Sequence, residues 1–310
     1  MKNTEAQIER MKQQTIGVEI EMAGITRRAA VKVIAKHFGT EDTIEHAGGG
    51  YDRYTCQDPQ GRTWQIMKDV SINDTECKKA ELVTPILHYE DIETLQELVR
   101  ALRKRGAISN PTKGCGVHIH IGAEGHNAKT LRNLVNIMAS HESLIKEALN
   151  LDNARINRYC RMVDPDFLKK LNSKKPATMS DLADIWYQDS WGSRSAHYNE
   201  TRYHMLNLHA TFTKGTIEFR LFQFDNPSED RKGGLHAGQL KSYIQFCLAL
   251  SQMAKDAKSA SPKPQQKENP KYAMRTWLLR LGFIGDEFKT AREVLTKRLS
   301  GNGAFRTCQA

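Results

Sequence analysis

Three short stretches of this chain alternate strictly between apolar and polar residues, and each is predicted to be a β-strand. In Ile16-Gly17-Val18-Glu19-Ile20-Glu21-Met22, the residues Val18, Ile20 and Met22 fall on one face and Glu19 and Glu21 on the other, because successive strand side chains point to opposite faces. Residues 117–122 repeat the pattern, with two histidines in Val117-His118-Ile119-His120-Ile121, and Ile217-Glu218-Phe219-Arg220-Leu221 repeats it with Glu218 and Arg220. Residues 62–67 and 80–86 read as shorter strands joined by a polar segment around Asp69. Residues 205–212 and 216–224 read as a strand pair about a hairpin turn at Lys214-Gly215.

Helical spacing marks residues 27–37 behind the N-cap Thr26, residues 91–105 with Ile92, Leu95, Leu98, Val99 and Leu102 on one face, and residues 128–149 and 235–257. Residues 46–54, with Gly48, Gly49 and Gly50 in a row, are expected to form a loop or wide turn. Between residues 152 and 200 the periodicity weakens. Pro165, Pro176, Ser180, Trp186 and Trp191 sit there among polar residues, as in an insertion or lid. The segment 258–270, with three prolines among lysines, glutamines and serines, has the composition of a linker. Helices near 273–281 and 286–299 would then form a small C-terminal appendage over 271–310, leaving 15–257 as the core. The order of elements predicts an α+β fold, a curved and mostly antiparallel sheet with helices packed on one face.

Each polar strand face carries ionisable groups about 7 Å apart, the i to i+2 spacing. An ordinary half-exposed sheet would place such residues in water, but Thr, Ser and Lys are its commoner occupants. Glu, His and Arg recurring on three strands favour a shared cavity instead. Carboxylates with imidazole and no thiolate make a hard-ligand set suited to Mg2+ or Mn2+. Two such ions clamp the oxygens of a transferring phosphoryl group, and an arginine beside Glu218 would neutralise charge on it. Glu81, in Ala80-Glu81-Leu82-Val83-Thr84-Pro85, is a further candidate at a strand end.

Composition narrows the picture. The 310 residues are 39% hydrophobic and 26% charged, a soluble-protein balance, and no apolar run approaches the roughly eighteen residues of a spanning helix. No membrane role is expected. Residues 1–14 are polar and mixed in charge, unlike a signal peptide, so a cytoplasmic location is the expectation. Six scattered cysteines without a C-x-x-C pair read as reduced thiols rather than a zinc site or disulfide framework. The net charge of +10 attracts polyanions, yet no aromatic-interleaved basic motif or zinc finger accompanies it.

Four motifs occur in order: Gly17-Val18-Glu19-Ile20-Glu21, Glu81-Leu82-Val83-Thr84-Pro85, Gly114-Cys115-Gly116-Val117-His118-Ile119-His120 and Thr216-Ile217-Glu218-Phe219-Arg220. Over residues 15–255 the chain resembles the amidoligase family, a branch of the glutamine synthetase and glutamate–cysteine ligase superfamily. The resemblance implies a glutamine synthetase-like catalytic fold that phosphorylates a carboxylate with ATP and lets an amine displace the phosphate. By the same resemblance Glu19, Glu21, Glu81, His118 and Glu218 would be metal ligands and His120 a contact of the ATP phosphates. Arg220 would lie on the phosphate or acyl phosphate, and Asp69, Arg202 and Asn207 near substrate or nucleotide. ATP and Mg2+ (or Mn2+) are the implied cofactors. Amino acids, peptides or other amine and carboxylate compounds are the implied substrates, and superfamily members are often oligomeric. Glutamine synthetases carry an arginine two residues before the last metal glutamate, where this chain has Thr216, so glutamate with ammonia is not the expected substrate pair. The rival readings are a metal-dependent hydrolase, since H-x-H also occurs in barrel hydrolases built of parallel strands, a basic nucleic-acid-binding protein with a degenerate ligase fold, and a guanidino kinase-like phosphotransferase.

Overall fold

The computed structural model describes residues 2–227, 234–264 and 268–305. Residues 265–267 of the predicted linker, and 306–310 of the predicted appendage with Cys308, lie outside the described residues. The chain is α+β, with an open antiparallel sheet of eight strands: β1 (Ile16–Met22), β2 (Glu45–Gly48), β3 (Arg53–Gln57), β4 (Thr63–Met67), β5 (Ala80–Val83), β6 (Val117–Gly122), β7 (Leu206–Asn207) and β8 (Thr216–Phe222). Among the described residues no helix is long and apolar enough to cross a membrane. The chain divides into two compact units. A strand-rich unit comprises Thr15–His120 and Phe222–Lys241, and a helix-rich unit Met1–Gln14, Ile121–Leu221 and Ser242–Ala310.

In the strand-rich unit the strand order is β2-β3-β4-β5-β1-β6. The β1/β5 register sets Glu21 opposite Glu81 and Ile20 opposite Leu82, and β4/β5 sets Met67 opposite Glu81. Helix Arg27–Phe38 packs on β3, β4 and β5. Thr26 caps it, its hydroxyl accepting the Ala29 N–H at 3.2 Å, and Gly39 ends it at φ 70°, the left-handed C-terminal cap that glycine favours. Helix Ile92–Lys104 buries the five aliphatic residues that its spacing marks, Ile92, Leu95, Leu98, Val99 and Leu102. Each such burial is worth about 2 kcal/mol. Arg62 ties the β3–β4 turn to the start of that helix. Its Nε donates to Asp58 at 2.8 Å and its two terminal nitrogens to Asp91 at 2.8 and 2.9 Å. The Asp58 carboxylate also accepts from Trp64 Nε1 at 3.1 Å.

The expected loop over 46–54 is instead part of a β2/β3 hairpin, with His46 opposite Tyr54 and their rings stacked 4.2 Å apart. The glycines form its turn, where Gly48 and Gly49 adopt φ of 62° and 73°. A run of glycines signals a turn but hides the strands on either side of it.

The helix-rich unit contains Ala128–Leu149, capped by Asn127 through a reciprocal capping box with Thr130. The weakly patterned stretch from 152 to 200 holds three short helices, Asn153–Tyr159, Pro165–Lys174 and Met179–Trp186. Each starts at a side-chain cap, Asp152, Asp164 or Thr178; at seven to ten residues they are too short for periodicity to stand out. The strand predicted over 205–212 is corrected. Only Leu206 and Asn207 pair, with Phe219 and Glu218 of β8, and His209–Lys214 is a helix. Gly215 is therefore that helix's left-handed cap, at φ 70°, and not a hairpin turn. The polar start is helical over Lys2–Lys12, and the last described helices are Pro270–Arg280 and Lys289–Thr296.

Candidate active site

Burial separates this sheet from a half-solvated one. In the strand-rich unit the polar positions of β1, β5 and β6 are enclosed almost as fully as the apolar ones: Glu21, Glu81, His118 and His120 are buried and Glu19 is nearly so. Strand pairing brings them together. Glu19 Oε2 lies 3.0 Å from His118 Nδ1, and Glu19 Oε1 lies 3.2 Å from His120 Nε2. Glu21 Oε1 is 3.7 Å from His118 Nε2, while its other oxygen accepts the Gly116 N–H at 2.5 Å. Gly17 permits this packing, since a Cβ there would sit 3.3 Å from the His120 Cβ. Burial alone would raise the Glu19 carboxyl, but the charge of His120 and hydrogen bonds from His118 and His120 hold it well below the usual carboxylate range. Glu19 is therefore an anion at neutral pH.

Asp69 joins the same neighbourhood from the β4–β5 connection, its Oδ1 accepting the Ser71 N–H at 2.6 Å. Two sets of three donors result, each with its ligand atoms within 4.8 Å of one another: Glu19, Glu81 and His118, and Glu21, Asp69 and Glu81. Glu81 belongs to both. One set mixes imidazole with carboxylates and the other offers oxygen only, which suits hard divalent cations. Asp69 thus stands among candidate metal donors, a place that its short sequence motif did not indicate.

The helix-rich unit gathers four more of the expected residues. Asn207 Nδ2 donates to Glu218 Oε2 at 2.6 Å, and the Arg220 guanidinium is hydrogen-bonded to the other Glu218 oxygen. Glu218 and Arg220 are both buried, and the Tyr203 ring lies 5.8 Å from the Arg220 guanidinium. A cavity of about 220 Å3 is lined by Arg202, Asn207 and Glu218. Arg202 sits 5.5 Å from the Tyr198 ring and donates to the His197 carbonyl at 2.9 Å. His209 lines this cavity too, with Nδ1 2.6 Å from the Tyr187 hydroxyl and its backbone N–H on Asn207 Oδ1 at 2.8 Å. His209 was missed in the sequence because the segment reads there as a strand.

Against known families, residues 12–251 match the model described as "Putative amidoligase enzyme". The chain belongs to the amidoligase family. No curated protein sequence matches this chain. Among solved structures it is similar to a bifunctional glutathione synthetase from Pasteurella multocida, at 13% identity and a TM-score of 0.48, over 95% of this chain and 48% of that one. The chain thus spans about half the length of that protein. The barrel hydrolase rival requires parallel strands, whereas β1/β5, β2/β3, β3/β4, β4/β5 and β7/β8 pair antiparallel.

Proposed function

We propose that this chain is an ATP-dependent carboxylate–amine ligase of glutamine synthetase-like fold that forms an amide through an acyl phosphate. The observation that supports this reading best is the pair of donor sets sharing Glu81 on buried strand faces. Glu19, Glu81 and His118 would hold one divalent ion and Glu21, Asp69 and Glu81 a second. Such ions supply charge neutralisation between two anions that must meet, a carboxylate and the γ-phosphate.

The remaining work falls to the chain's own groups. His120, whose Nε2 lies 3.2 Å from Glu19 Oε1, would donate to a phosphate oxygen, the role that its motif implies. Glu218 would be a metal ligand too, the role that its motif implies. Arg220, oriented by Glu218, would offset charge on the transferred phosphoryl group. Asn207, Arg202 and the cavity beside them would hold nucleotide or substrate. An amine then attacks the acyl carbon, the C–N bond forms, phosphate leaves with the C–O bonding pair, and the amine loses a proton.

Calorimetry of Mn2+ and of Mg2+–ATP tests the reading, together with phosphate release across a panel of carboxylate and amine pairs. Two Mn2+ ions are expected to bind the wild type. Asp69→Asn should weaken one ion, and Glu81→Gln both, each by about tenfold or more. Phosphate release should require both substrates and yield an amide. Unchanged Mg2+–ATP affinity in Glu81→Gln, or transfer of phosphate without amide, would reject the proposal; the second result would instead favour a phosphotransferase.

A further inference from the structure

The helix-rich unit holds a second cavity, of about 210 Å3, that shares none of the residues assigned above. It lies among helices Ala128–Leu149, Pro165–Lys174 and Met179–Trp186 and the segment 200–206. Leu206 lines it, while the next residue, Asn207, lines the cavity beside Glu218. Successive strand residues face opposite ways, so the two cavities lie on opposite faces of β7.

Its walls combine a buried acid with aromatic rings. Glu142 is only 4% exposed, and its two oxygens share one donor, the Val163 N–H, at 3.1 Å each. No Lys, Arg or His nitrogen of the described residues forms an ion pair with it. A carboxylate offers about four acceptor positions, so much of its capacity is unused. Trp186 stands edge-on to Phe167, with ring centres 5.1 Å apart, and lies 5.8 Å from the His204 ring. The other charges on the lining are mostly acidic or already engaged. Asp164 caps its own helix and Asp189 pairs with Lys170 at 2.7 Å. The Arg161 guanidinium is directed to the Tyr203 and Glu200 carbonyls, and Glu200 itself adds another carboxylate. This acidic, aromatic recess sits in a chain of net charge +10.

We propose that the cavity binds a small primary amine on an apolar stem, its ammonium paired with Glu142 and its stem against Phe167 and Trp186. A buried carboxylate repels anions and gains most from a cation that also brings hydrogen-bond donors. An ammonium brings three donors, and the aromatic faces add attraction of their own. Burial holds the empty Glu142 carboxyl up at about 7, so an arriving ammonium would displace its proton. Affinity should therefore rise with pH through neutrality. His204, held down chiefly by burial, is neutral over that window; the other ionisable groups facing the cavity are Arg161, Asp164, Asp189 and Glu200.

The test uses the full chain, with 2-phenylethylamine and the uncharged 2-phenylethanol as probes, followed by calorimetry and by tryptophan fluorescence. It involves neither nucleotide nor metal, so its result is separate from that of the ligase assay. At pH 8 the amine should bind at least about tenfold tighter than the alcohol. Glu142→Gln should bring the two to parity with an unchanged circular dichroism spectrum, and Trp186→Leu should weaken the amine several-fold. Equal affinity for amine and alcohol in the wild type, no amine binding, or amine affinity unaltered by Glu142→Gln would each overturn the proposal. The comparison of the two probes on the wild type decides the matter even where a variant fails to fold.

Discussion

Replacing Glu142 by Gln converts a buried, titratable oxygen into a neutral amide of the same shape, still able to accept the Val163 N–H. In the folded wild type, burial raises this carboxyl from an ordinary 4.5 to about 7. Each tenfold change in proton affinity is worth about 1.4 kcal/mol, so the full effect is about 3 kcal/mol. The sign follows from the direction of the shift. An acid that binds its proton more tightly when folded contributes stability that is complete below its unfolded value and lost as pH rises through its folded value. The wild type should therefore lose up to about 3 kcal/mol relative to Glu142→Gln between about pH 4.5 and pH 8, most of it before pH 7. Urea unfolding followed by circular dichroism at several pH values across that range measures it. Other carboxylates, such as Asp58 and Asp91, titrate in both proteins and cancel in the difference. Parallel stability profiles for the two proteins would refute the reasoning, because they would mean that Glu142 ionises as freely in the folded chain as in the unfolded one.

Two further outcomes are expected. Arg62→Leu leaves Asp58, whose side chain is fully enclosed, and Asp91 without their shared cation, which should cost about 2–4 kcal/mol in urea unfolding; a loss below about 1 kcal/mol would show the network to be dispensable. In a Cys308→Ser background, Cys77 should be the one thiol that reacts quickly with a disulfide reagent. Cys56, Cys115, Cys160 and Cys247 are buried, and burial pushes the Cys56 thiol up to about 12. Fast reaction of a second thiol in the native protein would contradict the packing around these cysteines.

How much of this was legible in the sequence depended on the length of each pattern. β1, β6 and the helix Ala128–Leu149 have the bounds that alternation and periodicity predict, because each buries a continuous apolar face. The helices between 152 and 186 and the β2/β3 hairpin did not stand out. They span few residues, and caps, turns and packing against neighbours fix them more than any repeating stripe does. The candidate donors were legible by residue type: Glu19, Glu21, Glu81 and His118 stand out as carboxylates and an imidazole where a strand usually carries Thr or Ser. Their burial was not, since alternation alone gives the same sequence signal for a wet face and an enclosed one. Asp69 lies outside any strand, so only the path of the β4–β5 connection brings it to Glu21 and Glu81. His209 was hidden in the same way, by a tight helical turn in a segment whose residue types favour a strand.

If each donor set holds an ion, as proposed above, the position of Glu81 in both at once has a thermodynamic consequence. Two ions that draw on one carboxylate cannot have independent affinities: the charge and orientation of Glu81 seen by the second depend on whether the first is seated. The two equilibria close a single cycle, so whatever factor one ion imposes on the other is returned in equal measure. A change at Asp69, on one side of the pair, would then be felt at His118 on the other without any movement of the strands between them. The concentration of free divalent cation would accordingly act on the centre as one steep or one shallow response, its sign set by whether shared neutralisation or mutual repulsion prevails at that oxygen pair.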